Sequence, residues 1–245
     1  MEWQESYDRI KPYLIRIDSE DGFGTGFLLA YNQDHSVAAI ATAAHVVDHA
    51  NNWRKPLKLG HYDTKEFSFY DDQNRVIWSD TVKDGATILV RSTSLTLPSN
   101  TLPLMDATKY KRIGVEVGWV GFPAIVPYEL CFFSGKISSF LEREDCYLID
   151  GVAINGVSGG PVFGQLHDST PEEIIGIVSA YMPSRRIGES LPGLVRAQDV
   201  TPFHEHIQRI RSFDEAKEKE QETQKEITGK DKDQNSEQIA GEGRS

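Results

Sequence analysis

A succession of short β-prone runs, separated by turn residues, limits what this chain can fold into. The first set is Tyr13–Ile17, Gly24–Ala30, Val37–Ala41, Leu57–Tyr62, Glu66–Tyr70, Arg75–Ser79 and Ala86–Arg91. The second is Val115–Phe122, Leu130–Leu141, Cys146–Asp150, Pro161–Leu166, Glu173–Tyr181 and Leu194–Val200. Many short strands at close spacing with frequent turns read as an all-β barrel architecture. Between the sets, residues 92–111 hold Pro98, Pro103 and several Ser and Thr, and read as a connector. Residues 2–10 read as a short amphipathic helix. Thr201-Pro202 opens a second helix, with Thr suited to cap and Pro to the first helical position. Phe203, Ile207 and Ile210 recur there at helical spacing, which predicts docking on the second barrel. The expected organisation is therefore 1–91, N-terminal helix and first barrel; 92–111, connector; 112–200, second barrel; 201–213, C-terminal helix; and 214–245, a charged tail. That tail is too poor in apolar residues to offset its ordering entropy and is expected to be disordered.

Chemistry concentrates in Gly156-Val157-Ser158-Gly159-Gly160-Pro161. Glycines on both sides of a serine let the backbone turn tightly and let amide N–H groups converge. The amides of Gly156 and Ser158 are expected to form an oxyanion hole for a carbonyl under attack. A serine hydroxyl is a weak nucleophile at neutral pH and needs a base, and that base needs an orienting partner. Thr42-Ala43-Ala44-His45-Val46-Val47 places His45 after an apolar run, and Asp84 in Lys83-Asp84-Gly85-Ala86 precedes another. Taken singly, either residue reads as a packed histidine or a turn aspartate. Their order along the chain, His45, Asp84, Ser158, is what makes a triad of them.

The segments Gly24-Thr25-Gly26-Phe27-Leu28-Leu29, Thr42-Ala43-Ala44-His45-Val46, Asp84-Gly85-Ala86-Thr87-Ile88-Leu89, Gly156-Val157-Ser158-Gly159-Gly160-Pro161 and Gly176-Ile177-Val178-Ser179 follow one another in a telling order. In them the chain resembles the chymotrypsin-fold serine proteases, and among these the trypsin-like, HtrA-type branch, over residues 10–205. The resemblance implies two six-stranded antiparallel β-barrels, the first carrying His45 and Asp84 and the second Ser158. It implies an endopeptidase acting on polypeptide through an acyl-enzyme. It also marks pocket walls: Val152 where an acidic residue would select Arg or Lys, Ser179-Ala180-Tyr181 as the strand that pairs with substrate backbone, and Pro192-Gly193-Leu194 as the far wall, with Gly193 leaving space. An apolar floor predicts cleavage after an apolar residue, since a cationic side chain would be desolvated there without a partner. Ser179 is also expected to hydrogen-bond the Asp84 carboxylate, as its family counterpart does.

Val157 departs from that family. Trypsin-like zymogens carry an aspartate there that pairs with a new N-terminus, and the HtrA-type branch commonly carries Asn. Valine can do neither, and no Arg-Ile-Val-Gly-Gly type cleavage site lies near the start, so activation by N-terminal cleavage is not expected. The loop is expected to be ordered by apolar packing, or by a substrate or regulatory protein partner. A protease-fold binding module with little or no turnover, and an esterase-like hydrolase, are the alternatives.

The formal net charge of −11 argues against non-specific nucleic-acid binding. No apolar run is long enough to span a bilayer, so no membrane partner is expected. The start, Met1-Glu2-Trp3-Gln4-Glu5, lacks the basic-then-apolar design of a secretory signal. With only two cysteines, Cys131 and Cys146, both expected as buried thiols, this gives an intracellular, cytoplasmic expectation. His45 and His49 stand four apart, but the glutamate of a zincin helix is missing, and His49 reads as surface. His204 and His206 read as solvated, and His35, His61 and His167 as turn or strand-end residues. No metal and no cofactor is expected.

Overall fold

The computed structural model describes residues 3–106, 108, 112–164, 173–183 and 190–242, with the backbone alone for 180–183, 190–192 and 222–242. The expected strand over Pro161–Leu166 therefore has Gln165 and Leu166 outside the described residues, as is His167. The strands are β1 (Leu14–Ser19), β2 (Gly22–Tyr31), β3 (Val37–Ala43), β4 (Leu57–His61), β5 (Phe67–Tyr70), β6 (Arg75–Asp80), β7 (Gly85–Arg91), β8 (Glu116–Gly121), β9 (Cys131–Leu141), β10 (Cys146–Asp150), β11 (Pro161–Gly164), β12 (Glu173–Pro183) and β13 (Ser190–Asp199). The helices are α1 (Trp3–Ile10), α2 (Ala44–Asn52) and α3 (Thr201–Glu242). Each β-prone run of the sequence holds one strand. The helix α2, directly after β3, is an addition to the sequence reading.

The strands form a closed six-stranded barrel, β10-β13-β12-β11-β8-β9, and a seven-stranded sheet, β5-β4-β1-β2-β3-β7-β6. The sequence-based expectation of two six-stranded barrels is thus corrected for the first half: its edge strands β5 and β6 are not paired with each other among the described strands. Central strand β3 is nearly all small residues, and Ala38, Ala39, Ile40, Ala41, Thr42 and Ala43 are buried. The closed barrel is filled by larger groups, among them Trp119, Tyr147 and Phe163.

The chain divides into two compact units, Met1–His206 and Ile207–Ser245. In the first, the start of α3 touches the seven-stranded sheet. Pro202 and Phe203 lie against Gly85, and the His206 Nδ1 lies 2.8 Å from the Thr87 Oγ1. His204 Nε2 donates to the Met105 carbonyl at 2.7 Å, and His206 is buried, so neither histidine is the solvated residue that its polar neighbours suggested. Helical backbone continues to Glu242, past the boundary at 213 and through the charged segment.

Candidate active site

Strand register brings His45 to Asp84. β3 pairs antiparallel with β7, with Ala43 opposite Gly85, so the residue that starts α2 faces the residue before β7. The Ala44 amide donates to the Asp84 carbonyl at 3.1 Å and fixes that corner. Asp84 takes a positive φ of 49°, a left-handed conformation that Asp tolerates better than most residues. Its carboxylate then accepts from three sides. The His45 Nδ1 lies 3.0 Å from Oδ1 and 2.9 Å from Oδ2, the His45 backbone amide donates to Oδ1 at 3.0 Å, and the Ser179 Oγ donates to Oδ2. A carboxylate beside Nδ1 holds the proton on that nitrogen and leaves Nε2 as the acceptor.

These contacts act on both ionisations. Burial alone pulls the His45 pKa down, but the hydrogen bond and charge of Asp84 outweigh it and hold the imidazole above its ordinary value. Burial likewise pushes Asp84 up, and the His45, Ser179 and backbone hydrogen bonds outweigh that and hold it below the ordinary carboxylate value.

Ser158 arrives from the closed barrel. The Gly159 amide donates to Val178 O at 2.7 Å and the Val178 amide to Gly160 O at 2.9 Å, which seats the nucleophile turn beside Ser179, at 3% exposure. The Ser158 hydroxyl donates to the Ser179 carbonyl at 3.3 Å. The imidazole Nε2 makes no hydrogen bond among the described residues, so of the two links of the expected triad the His45–Asp84 one is made and the Ser158–His45 one is not. Catalytic hydrogen bonds are often closed only in the substrate complex. His45 and Ser158 line one cavity of about 330 Å³, together with Ser19, Asp21, Phe23 and Asn155.

The proposed oxyanion donors are poised in the same wall. Ala124 N donates to Asn155 O at 2.7 Å. A planar trans peptide points its N–H opposite to its C=O, so the Gly156 N–H is turned away from Ala124. Among the described residues neither the Gly156 nor the Ser158 amide is taken by a protein acceptor. Gly156, at φ 91°, lies under the Phe23 ring; a side chain added there would stand 2.4 Å from that ring. Arg16 stacks on Phe23 at 3.9 Å and on Tyr128 at 4.8 Å, and its guanidinium binds Pro127 O. Val157 is fully buried and packs on Gly121, where a trypsin-like zymogen would have its aspartate.

The remaining predicted pocket residues are spread along the barrel edge. The Gly151 amide donates to Gly193 O at 3.0 Å, which brings Val152 beside Gly193. Val152 is 56% exposed, so it stands at an open edge rather than on an enclosed floor. Ala180 and Tyr181 continue β12, opposite Arg196 and Val195, and their side chains lie outside the described residues. Cys146 is buried as expected, whereas Cys131 is only half-buried; both are free thiols. Thr25, within Gly24-Thr25-Gly26, is the residue whose contacts the sequence did not show.

No protein-family model matches this sequence, and no curated protein matches it. Among solved structures, the crystal structure of the serine endoprotease from Yersinia pestis is similar, with a TM-score of 0.62 and 18% sequence identity over 86% of this chain. This chain spans 66% of that protein's length. The likeness is one of fold, and the fold that this chain has is the chymotrypsin-like one.

Proposed function

We propose that this chain is a serine endopeptidase that cuts polypeptide after an apolar residue. The observation that carries the reading is the hydrogen-bonded His45–Asp84–Ser179 set beside Ser158, with two unclaimed amides in the wall of the same cavity. Rotation about the Ser158 Cα–Cβ bond takes the hydroxyl from Ser179 O toward His45 Nε2. The Ser158 Oγ then attacks the scissile carbonyl carbon and its proton passes to Nε2. The Gly156 and Ser158 amides hold the oxyanion, each such donor contributing roughly 3 kcal/mol. The tetrahedral species collapses as Nε2 gives the proton to the leaving amine, and water repeats the sequence on the acyl-Ser158 ester. Asp84 keeps the ring in its working tautomer and stabilises the imidazolium.

His45 must protonate the leaving amine, so the cavity that runs from His45 to Ser19 and Asp21 receives the chain after the scissile bond. The acyl side lies along β12, with Val152 and Gly193 offering an apolar wall at its open edge. The free cysteines support a reducing, cytoplasmic setting. Among the described residues no helix is long and apolar enough to cross a membrane. Digestion of a peptide library tests the reading: cleavage after apolar residues, abolished by Ser158→Ala, supports it. Cleavage mainly after Arg or Lys would remove Val152 from the pocket. The Ser158–Ser179 hydrogen bond favours a second reading, a peptide-binding module without turnover. Peptide binding that is retained in a wild-type chain unable to cleave would decide for it.

A further inference from the structure

Catalysis between a sheet and a barrel needs a part that fixes one against the other at the reacting atoms. The nucleophile turn belongs to the closed barrel, and His45 to the seven-stranded sheet. Thr25, on β2 of that sheet, is fully buried and binds the nucleophile turn on both sides of Val157. Its Oγ1 donates to Gly156 O at 2.8 Å and its backbone amide donates to Ser158 O at 2.8 Å. The same Oγ1 accepts from the Phe122 amide at 3.0 Å. Its carbonyl accepts from Thr42 Oγ1 at 2.7 Å, and Thr42 lies three residues before His45. Gly156 O and Ser158 O are thus both held from β2, by a residue tied in turn to the strand that ends at the histidine.

We infer that Thr25 is a positioning residue of this active site: its hydroxyl fixes the Gly156–Val157 peptide, which lies between the two peptides that carry the Gly156 and Ser158 amides and so sets their aim, while its backbone holds Ser158 O and the strand leading to His45. Thr25 touches neither substrate nor a reacting atom, and the inference rests on the serine-hydrolase reading of the site. One hydroxyl serves both as donor and as acceptor here, so the position calls for Thr or Ser. Valine has the shape of threonine but leaves Gly156 O without its donor and the Phe122 amide without its acceptor in a buried place. The effect then falls on transition-state stabilisation, because the misaimed amides serve the oxyanion and not the ground-state carbonyl.

The test is a graded series, Thr25→Ser, Thr25→Cys and Thr25→Val, reacted with a fluorophosphonate probe of the full-length chain. The readouts are the saturating labelling rate, the half-saturating probe concentration and the thermal midpoint. Thr25→Ser is expected to label within about threefold of wild type, and Thr25→Val about a hundredfold more slowly at saturation. The half-saturating concentration stays within about threefold throughout. Cysteine is a weak donor and a weak acceptor, and Thr25→Cys is expected to lie at least about tenfold below Thr25→Ser, which decides the matter even where Thr25→Val does not fold. Equal saturating rates for Thr25→Ser and Thr25→Cys would overturn the inference while leaving the protease reading intact. Absence of labelling in the wild type, or labelling that persists in Ser158→Ala, would overturn both.

Discussion

Two opposed forces meet on the His45 ring. Burial disfavours the imidazolium, and the Asp84 carboxylate favours it more strongly, so the net pKa is above the ordinary value. A protonated ring cannot take the Ser158 proton. Activity is therefore expected to fall as the pH drops through that raised pKa, with the acid limb of kcat/KM centred above about 6.5. A pH–rate profile checks this, and a midpoint below that value would contradict it. Asp84→Asn leaves the ring in the wrong tautomer and is expected to lower kcat by about 10⁴-fold with little change in KM. Gly159 is the other residue on which the site depends. Its φ is 82°, and an added Cβ would stand 2.1 Å from Thr25 O and 2.2 Å from Thr42 Oγ1. Gly159→Ala is expected to cost about 3 kcal/mol or more, read as a shift of the urea midpoint, because the nearest obstacle is the Thr25 backbone carbonyl, which cannot swing aside. The glycine–serine turn was legible in the sequence because the constraint is local to six letters. The role of Thr25 was not, since it arises from carbonyls far away in the chain.

At the scale of elements, pairing register assembles the site. β3 against β7 delivers His45 to Asp84, and the link from Gly160 to Val178 delivers Ser158 to Ser179. The Ser179–Asp84 hydrogen bond, expected from the resemblance, then joins the two halves. Helix α2 was missed because Ala43-Ala44-His45-Val46-Val47 prolongs the apolar run of β3, and periodicity cannot divide a short apolar run between strand and helix. The β1–β2 hairpin has a task of its own. Arg16, paired with Asp18 at 2.6 Å, stacks on the Phe23 ring that covers Gly156. Arg16→Ala is expected to cost about 1–2 kcal/mol of stability and to lower kcat, measured by urea unfolding and turnover on one preparation. Unchanged values for both would mean that the hairpin does not support the turn.

For the whole molecule, the number and place of the strands were legible from alternation and turns, but sheet closure was not. Closure depends on whether β5 and β6 meet, a long-range matter that no local pattern encodes, and among the described strands the β8–β13 set alone closes. The charged C-terminal segment is a case where composition and backbone differ: it offers little to bury, yet α3 continues to Glu242. Ending the chain after Phe213 is expected to leave the labelling rate at Ser158 within about twofold of the full chain, and a larger loss would assign the segment a part in the site.

The expectations for activity depend on Ser158 being a nucleophile that His45 activates. Intact-mass and peptide mapping after fluorophosphonate treatment measures this directly. The expected result is a single adduct on the Ser158 peptide, absent in Ser158→Ala and strongly slowed in His45→Ala. No adduct on the folded wild-type chain, or one formed as fast without the imidazole, would contradict it.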